Sequence, residues 1–269
     1  MQVTNKVFVV TGAGNGMGRE VALGIATRGG RVVGIDRSQE SLRETAELVM
    51  AASGAGKFGS FTVDLTDRDH VAELPDLVIR EFGQVDGVIN VAGIIQRFVN
   101  IADLDIAEIE RVMNINFWGT LLMDKAFLPL LLKRPEACLV NVSSMGALVP
   151  VPGQGAYGAS KAAVALLTET LYAELMNTSV AVTLVYPGAI ATNIAANSGV
   201  SIPGMAEADV SSMKMTSASD AADQIIDAVE KGTFRVLIGS DARNLDRMSR
   251  IMPTKSIGVV AKQMKKLLG

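Results

Sequence analysis

The sequence predicts an α/β fold, a doubly wound parallel sheet of about seven strands with helices on both faces. Three observations predict it. Apolar runs of strand length alternate with longer segments of helical period from one end to the other. The runs Val7-Phe8-Val9-Val10 and Val180-Ala181-Val182-Thr183-Leu184-Val185 are apolar on both faces, as strands covered by helices on each side must be. No linker-like stretch or charge block divides the 269 residues, so residues 1–269 are expected to form one domain.

Taken in order, strands are expected near 6–11, 31–36, 59–64, 85–90, 137–143, 180–186 and 234–239. Helices are expected near 16–29, 39–52, 68–82, 104–132, 155–177 and 217–231. Two segments lack a clean period: 193–216, which mixes Asn, Ser, Gly, Pro and Met, and a basic, apolar tail at 241–269. Composition narrows the function. Twenty-five basic and 28 acidic residues leave a net charge of −3, with none of the basic excess that nucleic-acid binding needs. A hydrophobic content of 49% and a mean hydropathy of +0.32 exclude disorder. The single Cys138 excludes a disulfide framework within the chain, and with the single His70 it leaves no His- or Cys-rich metal site. Ser-His-Asp catalysis is nearly removed as well, so any acid–base chemistry must come from another group. Val7–Val10 is too short for the core of an export signal, and no run reaches the roughly 18 apolar residues of a spanning helix. A cytoplasmic protein without stable membrane insertion is expected.

The first expected strand runs into Thr11-Gly12-Ala13-Gly14-Asn15-Gly16-Met17-Gly18, which opens a helix. Glycines there permit a tight turn and close backbone approach, and the helix N-terminus offers free N–H groups to a pyrophosphate. Asp36 ends the second strand, where a carboxylate accepts the ribose hydroxyls of NAD and repels a 2′-phosphate. Arg37, just beyond it, is the residue that could meet such a phosphate. Asn15 supplies no second basic partner, which favours NAD over NADP.

Tyr157 and Lys161 stand at i, i+4 in a helical segment and so share one face. A tyrosine hydroxyl ionises near pH 10, and a neighbouring ammonium favours the phenolate. Lowering it by roughly 3 units takes about 4 kcal/mol, within reach of one Lys and a cationic nicotinamide in a shielded site. In a chain with one His, this pair is the best available acid–base device.

With these elements the sequence resembles the short-chain dehydrogenase/reductase family in its single-domain form, over residues 4–240. Thr11-Gly12-x-x-x-Gly16-x-Gly18 is similar to the family's cofactor loop. Asp64, followed by Leu65, resembles its adenine contact. Asn90-Val91-Ala92-Gly93 is similar to its Asn-Asn-Ala-Gly element, with Val91 in place of the second Asn. Asn116-Phe117-Trp118-Gly119 resembles the motif carrying the catalytic Asn. Asn114 is the rival, about 200° away on a helix, so only one of the two can face the site. Asn141-Val142-Ser143-Ser144 resembles the strand-5 motif; its second serine lies 13 residues before Tyr157, and Ser143 competes for the role. Pro187-Gly188-x-x-x-Thr192 is similar to the element that binds the nicotinamide carboxamide, with Ile190 and Thr192 as contacts.

The resemblance implies a Rossmann-type fold and an NAD-dependent oxidoreductase acting on a secondary alcohol or ketone. It implies that Tyr157 takes the alcohol proton, Ser144 hydrogen-bonds the substrate oxygen, and Lys161 lowers the Tyr pKa and binds the nicotinamide ribose. Asn116 is implied to hold a water linking Lys161 to solvent. The nearest rival is an NADPH-dependent 3-oxoacyl reductase, which Asp36 opposes. A non-catalytic NAD-sensing protein is a rival of another class, opposed by the intact Ser144, Tyr157 and Lys161.

Substrate walls are expected from 94–100, 145–155 and 193–216, with Gln96 and Gln154 as candidate polar contacts and Met205, Met213 and Met215 as an apolar, adaptable wall. His70 reads as an exposed or capping-region residue and Cys138 as a buried small hydrophobe. In the tail, Ile257, Val260, Met264, Leu267 and Leu268 share one helical face. That face could pack on the domain, cover the pocket or touch a membrane, and docking on the protein is preferred. Segments 115–132 and 156–176 carry apolar side chains on more faces than one sheet can cover. A homo-oligomer is therefore expected, a tetramer with a dimer as the alternative.

Overall fold

The computed structural model of the chain describes residues 1–201 and 215–268. β1 (Val7–Thr11) is buried at every position, and its side chains alternate between two cores. α1 (Gly16–Thr27), β2 (Arg31–Asp36) and α2 (Gln39–Ser53) follow, α2 being capped by the Ser38 hydroxyl, which accepts from Ser41 N–H. β3 (Phe58–Thr62) leads to α3 (Arg68–Phe82), capped by Asp67 and ended by Gly83 in the left-handed region. Then come β4 (Gly87–Asn90), α4 (Ile106–Met113), a π-helical turn at Asn114–Trp118, α5 (Gly119–Leu131), β5 (Ala137–Val142) and α6 (Gly155–Leu175). The chain continues through β6 (Val180–Pro187), β7 (Ile190–Ala191), α7 (Ile194–Asn197), β8 (Thr216–Ser217), α8 (Ala218–Lys231) and β9 (Arg235–Ile238). It closes with α9 (Ser240–Ile251) and α10 (Pro253–Leu268).

Seven parallel strands form one Rossmann-like sheet in the order β3-β2-β1-β4-β5-β6-β9, and β7 pairs with β8 in a separate ribbon. Phe8 and Val10 face a core built with Val21 and Ile25 of α1 and Ile225 and Val229 of α8. Val7 and Val9 face the other core, with Leu74 and Val78 of α3, Phe127 of α5 and Leu171 of α6. The chain reverses direction between β1 and β4, and the crevice at the carboxyl ends of strands around such a switch point is where ligands bind in this architecture. The register pairs Thr11 with Ile35 and Asn90, and Asn90 with Asn141. The loops after β1, β2, β4 and β5 therefore emerge along one edge.

Three expectations are corrected. The single helix expected over 104–132 is broken into a 3₁₀ turn at Ile101–Asp103, α4, the π turn and α5. Two contacts accompany the break: the Asn116 side chain is fastened to the main chain of Ile94, and the Thr120 hydroxyl donates to the Asn116 carbonyl at 2.8 Å. The tail is not irregular: residues 241–251 lie in α9 and 253–268 in α10. α9 turns Ala242 and Asp246 inward, with Asp246 paired to Arg235 at 2.8 Å and Arg250 at 3.0 Å. The third strand ends at Thr62, leaving Val63 and Asp64 in the loop beyond it. Of the segment 193–216, Ile194–Asn197 forms α7 and Thr216 opens β8; Met205 and Met213 lie outside the described residues.

Candidate active site

The turn after β1 is built for close approach. Gly12 has φ of 69°, and a Cβ there would sit 3.0 Å from the Cα of Ala92 on the neighbouring loop. The Thr11 hydroxyl accepts from Val91 N–H (3.1 Å) and Ala92 N–H (3.2 Å), pinning that loop to the end of β1. A Cβ on Gly18 would overlap the Gly12 carbonyl, so only glycine lets α1 start this close to the turn. Asn15 stands at the cap position of α1 without a side-chain capping bond, which leaves the first amide N–H groups available to an anion. Asn15, Gly16, Met17 and Gly18 border a cavity of about 490 Å³ that runs along the carboxyl edge of the sheet.

At one end of this cavity Asp36 closes β2. Its Oδ2 accepts from Gly14 N–H and its Oδ1 from Ser38 N–H, each at 3.0 Å, which fixes the carboxylate at the rim. Arg37 lines the same rim and donates to the Asn197 carbonyl at 3.3 Å. Asp64 and Leu65 border the cavity from the loop after β3, where Asp64 Oδ1 accepts from Thr66 N–H. The residues fit a dinucleotide: uncapped helix amides lie in the middle, a carboxylate at one end, and Ala92, Gly93, Pro187, Gly188, Ile190 and Thr192 toward the other.

The far end gathers Ser144, Tyr157 and Lys161. Lys161 is 3% exposed and its Nζ donates to the Val142 carbonyl at 2.9 Å. Burial pushes this ammonium down to about 8. Burial pushes the Tyr157 phenol up, against a smaller lowering by the Ser144 hydroxyl beside it. The polypeptide thus holds the phenol protonated. The Lys161 ammonium, which the sequence sets one helical turn from the phenol, is hydrogen-bonded to the Val142 carbonyl here. Ser144 Oγ accepts from Gly146 N–H at 3.1 Å, so its own hydrogen is free to point elsewhere. Ser143, the competing serine, donates to the Lys161 carbonyl at 2.7 Å and anchors α6.

Four predicted residues, Asn90, Gln96, Asn116 and Gln154, lie outside the cavity lining. Asn116 is fully buried while Asn114 is exposed, but its amide is engaged with Ile94 N–H and C=O and with Ser160 Oγ, each at 2.9 Å. It still lies near the centre: a Cβ on Gly93 would stand 3.0 Å from Lys161 Nζ and 3.3 Å from Asn116 Oδ1. Asn90 turns away altogether, donating to Asp124 Oδ1 (2.8 Å) and Asn141 Oδ1 (2.9 Å) beneath the strand ends. Gln96 and Gln154, expected as substrate contacts, are buried and bonded to main chain, each donating across to the other's loop.

Sequence reasoning passed over Arg19, whose guanidinium donates to Gly14 O and to Glu44 at 2.7 Å and so braces the cofactor turn from below. It also passed over Asp241 of α9, whose Oδ2 accepts from Ala189 N–H at 2.6 Å and holds the Pro187–Gly188 loop. An Arg one residue past the glycine motif is a signal in the sequence; the Asp241 contact, 52 residues away, leaves none. His70 is exposed beside Asp67, and burial pushes the Cys138 thiol up to about 12, so neither belongs to the site.

The chain is similar to known proteins. The family model described as short chain dehydrogenase matches residues 6–201. SadH of Mycobacterium tuberculosis is 36% identical over 262 residues, covering 95% of this chain and 94% of that protein. The rat dehydrogenase/reductase SDR family member 7B is 35% identical over 240 residues, covering 87% of this chain and 73% of that one. Among solved structures, a short chain dehydrogenase/reductase from Burkholderia phymatum in complex with NAD superposes with a TM-score of 0.85 at 28% identity, covering 95% of this chain and 96% of that one. One from Burkholderia cenocepacia in complex with NADP superposes with a TM-score of 0.80 at 26% identity, over 97% of this chain and 99% of that one. With the parallel sheet, the glycine turn at its switch point and these relatives, the chain belongs to the short-chain dehydrogenase/reductase family of oxidoreductases.

Proposed function

We propose that this protein is an NAD(H)-dependent oxidoreductase that interconverts a secondary alcohol and its ketone. The observation that carries the reading is one cavity with Asp36 at one end and Ser144, Tyr157 and Lys161 at the other. Asp36 favours NAD, because a carboxylate held at the rim by two N–H groups can accept ribose hydroxyls and repels a 2′-phosphate. When bound, the nicotinamide supplies the hydride acceptor or donor. Gly12, Asn15, Gly16, Met17 and Gly18 hold the pyrophosphate, Asp64 and Leu65 the adenine. Ala92, Gly93, Pro187, Gly188, Ile190 and Thr192 flank the nicotinamide half.

In alcohol oxidation Tyr157 Oη accepts the hydroxyl proton. Ser144 donates its free hydrogen to the substrate oxygen and steadies the charge developing there. Lys161, once turned from Val142 toward the ribose and the phenol, opposes the burial that keeps Tyr157 protonated. Asn116 fastens the loop carrying Gly93, and in this reading holds the water through which Lys161 exchanges protons with solvent. Ile94, Ile95 and Val142 make the wall around the reacting end apolar, which suits an apolar or mixed substrate body. The chain works as a single dinucleotide-binding and catalytic domain over 1–269, with 193–216 as its substrate loop and 241–269 as a C-terminal tail. We place it in the cytoplasm as a homotetramer.

A panel of steroids, sugar alcohols, acyl-thioesters and small diols with NAD tests the class. On the best alcohol, Tyr157→Phe is expected to lower kcat by roughly 10²–10⁴-fold while NADH binding stays within about threefold. Turnover that survives this change would end the proposed mechanism.

A further inference from the structure

We propose that Gln96 is a positioning residue for Tyr157: it caps, from a loop 61 residues away in the chain, the helix that carries Tyr157 and Lys161. The inference rests on the reading of Tyr157 as the acid–base group.

The first N–H groups of an α-helix need partners from outside the helix, and a cap-position side chain usually supplies them. α6 lacks that arrangement, since Gln154 at its cap position makes no side-chain capping bond. Gln96 supplies the acceptor instead. Its Oε1 accepts from Ala156 N–H at 2.7 Å and from Tyr157 N–H at 3.0 Å. Its Nε2 donates to the Gly153 carbonyl at 3.0 Å, and its own carbonyl accepts from Gln154 Nε2 at 2.9 Å. The side chain is fully buried, so no water can take over these bonds.

The loop from which Gln96 reaches is fastened almost residue by residue. Val91 and Ala92 are tied to Thr11, Ile94 to Asn116, and Ile95 to the Ser198 hydroxyl at 3.0 Å. The same strip, from Val91 to Ile95, lines the cofactor cavity. Gln96 therefore links the main chain of Tyr157 to the surface on which the nicotinamide half is proposed to lie. Its chemistry suits that place. A carboxylate would accept the same two N–H groups but would set a buried negative charge at the start of the helix that carries the phenol and so oppose its ionisation. A neutral amide accepts both without charge and has a donor left for Gly153.

The test uses full-length protein labelled with ¹³C at tyrosine Cζ, whose resonance reports hydrogen bonding and ionisation of the phenol. Only three tyrosines are present, and Tyr157→Phe assigns the one that matters. Gln96→Glu keeps both capping acceptor bonds, gives up the donor to Gly153, and is expected to raise the Tyr157 midpoint by about 0.5–1 unit. Gln96→Met removes the acceptor and is expected to displace the resonance and lower kcat by about tenfold or more, with NADH affinity within about threefold of the parent. Gln96→Glu should recover most of that kcat at alkaline pH. A Tyr157 resonance and midpoint that match the parent in the Glu variant, to within about 0.2 unit, overturn the proposal whatever happens to Tm. If Gln96→Met does not fold, Gln96→Glu alone decides. The resonance needs no turnover, so its failure indicts Gln96, whereas activity retained by Tyr157→Phe indicts the proposed function.

Discussion

Asp36 shows how one side chain joins local folding to selectivity. Its two oxygens accept N–H groups from the glycine turn and from the residue before α2, so it orders the rim and presents charge there at once. Replacing it with Ala is expected to weaken NADH binding by about tenfold or more and to narrow the gap to NADPH, with Arg37 freed toward a 2′-phosphate. Fluorescence titration with both cofactors checks this; a parent protein that already prefers NADPH by a wide margin contradicts the assignment. Asp36, Tyr157 and Lys161 were legible because their meaning lies in short spacings along one strand or one helix turn. Gln96 was not. Its partners Ala156 and Tyr157 are 60 and 61 residues away, and a glutamine near an expected substrate wall reads as a substrate contact until the sheet brings those loops together.

At the scale of elements, α5 carries a buried charge that no catalytic step uses. Asp124 Oδ1 accepts from Asn90 and Oδ2 from Asn141, while Asn141 also donates to Thr168 of α6 at 3.1 Å. This network ties α5 and α6 beneath the ends of β4 and β5. Burial, only partly offset by the two amides, pushes the Asp124 carboxyl up to about 7. The folded state then keeps a proton that the unfolded chain gives up near pH 4, so the group's contribution to stability is present in acid and is lost as pH rises toward 7. The expected size is on the order of 2–4 kcal/mol. Subtracting the Tm–pH curve of Asp124→Asn from that of the parent should leave a difference that declines across this window. A flat difference would mean that the carboxyl titrates normally. The resemblance of Asn90-Val91-Ala92-Gly93 to the family's Asn-Asn-Ala-Gly element sets Asn90 at the cofactor. Its orientation depends on an aspartate 34 residues later.

At the scale of the whole molecule, α5 and α6 leave apolar side chains outside. Leu166 is 66% exposed and Met176 65%, with Trp118, Leu132 and Tyr172 also exposed. A patch of this kind on a monomer is unusual, which supports assembly through these helices. Light scattering at micromolar concentration is expected to give about four times the 28.3 kDa chain mass, and Leu166→Arg, at an exposed position, to yield smaller species with little change in Tm. A stable monomer in the parent would sink the assembly. The C-terminal helix α10 docks on the protein through buried Ser256 and Val260, while Ile257 borders a shallow hollow beside Val99, Ile101 and Pro150–Pro152. Among the described residues no helix is long and apolar enough to cross a membrane.

The sequence by itself determined the parallel α/β class, the switch-point glycine turn, the acidic end of β2 and the Tyr157–Lys161 face. Each follows from a period of two or 3.6 residues, or from a residue type demanded by backbone conformation, and these are local properties of the chain. Only the tertiary structure decided that Asn116 is clamped to Ile94, that Asn90 serves Asp124, and that the Ser143 hydroxyl anchors α6. In each case a buried polar group had to find its partner, and which groups came within hydrogen-bonding distance depended on the register of strands distant in sequence.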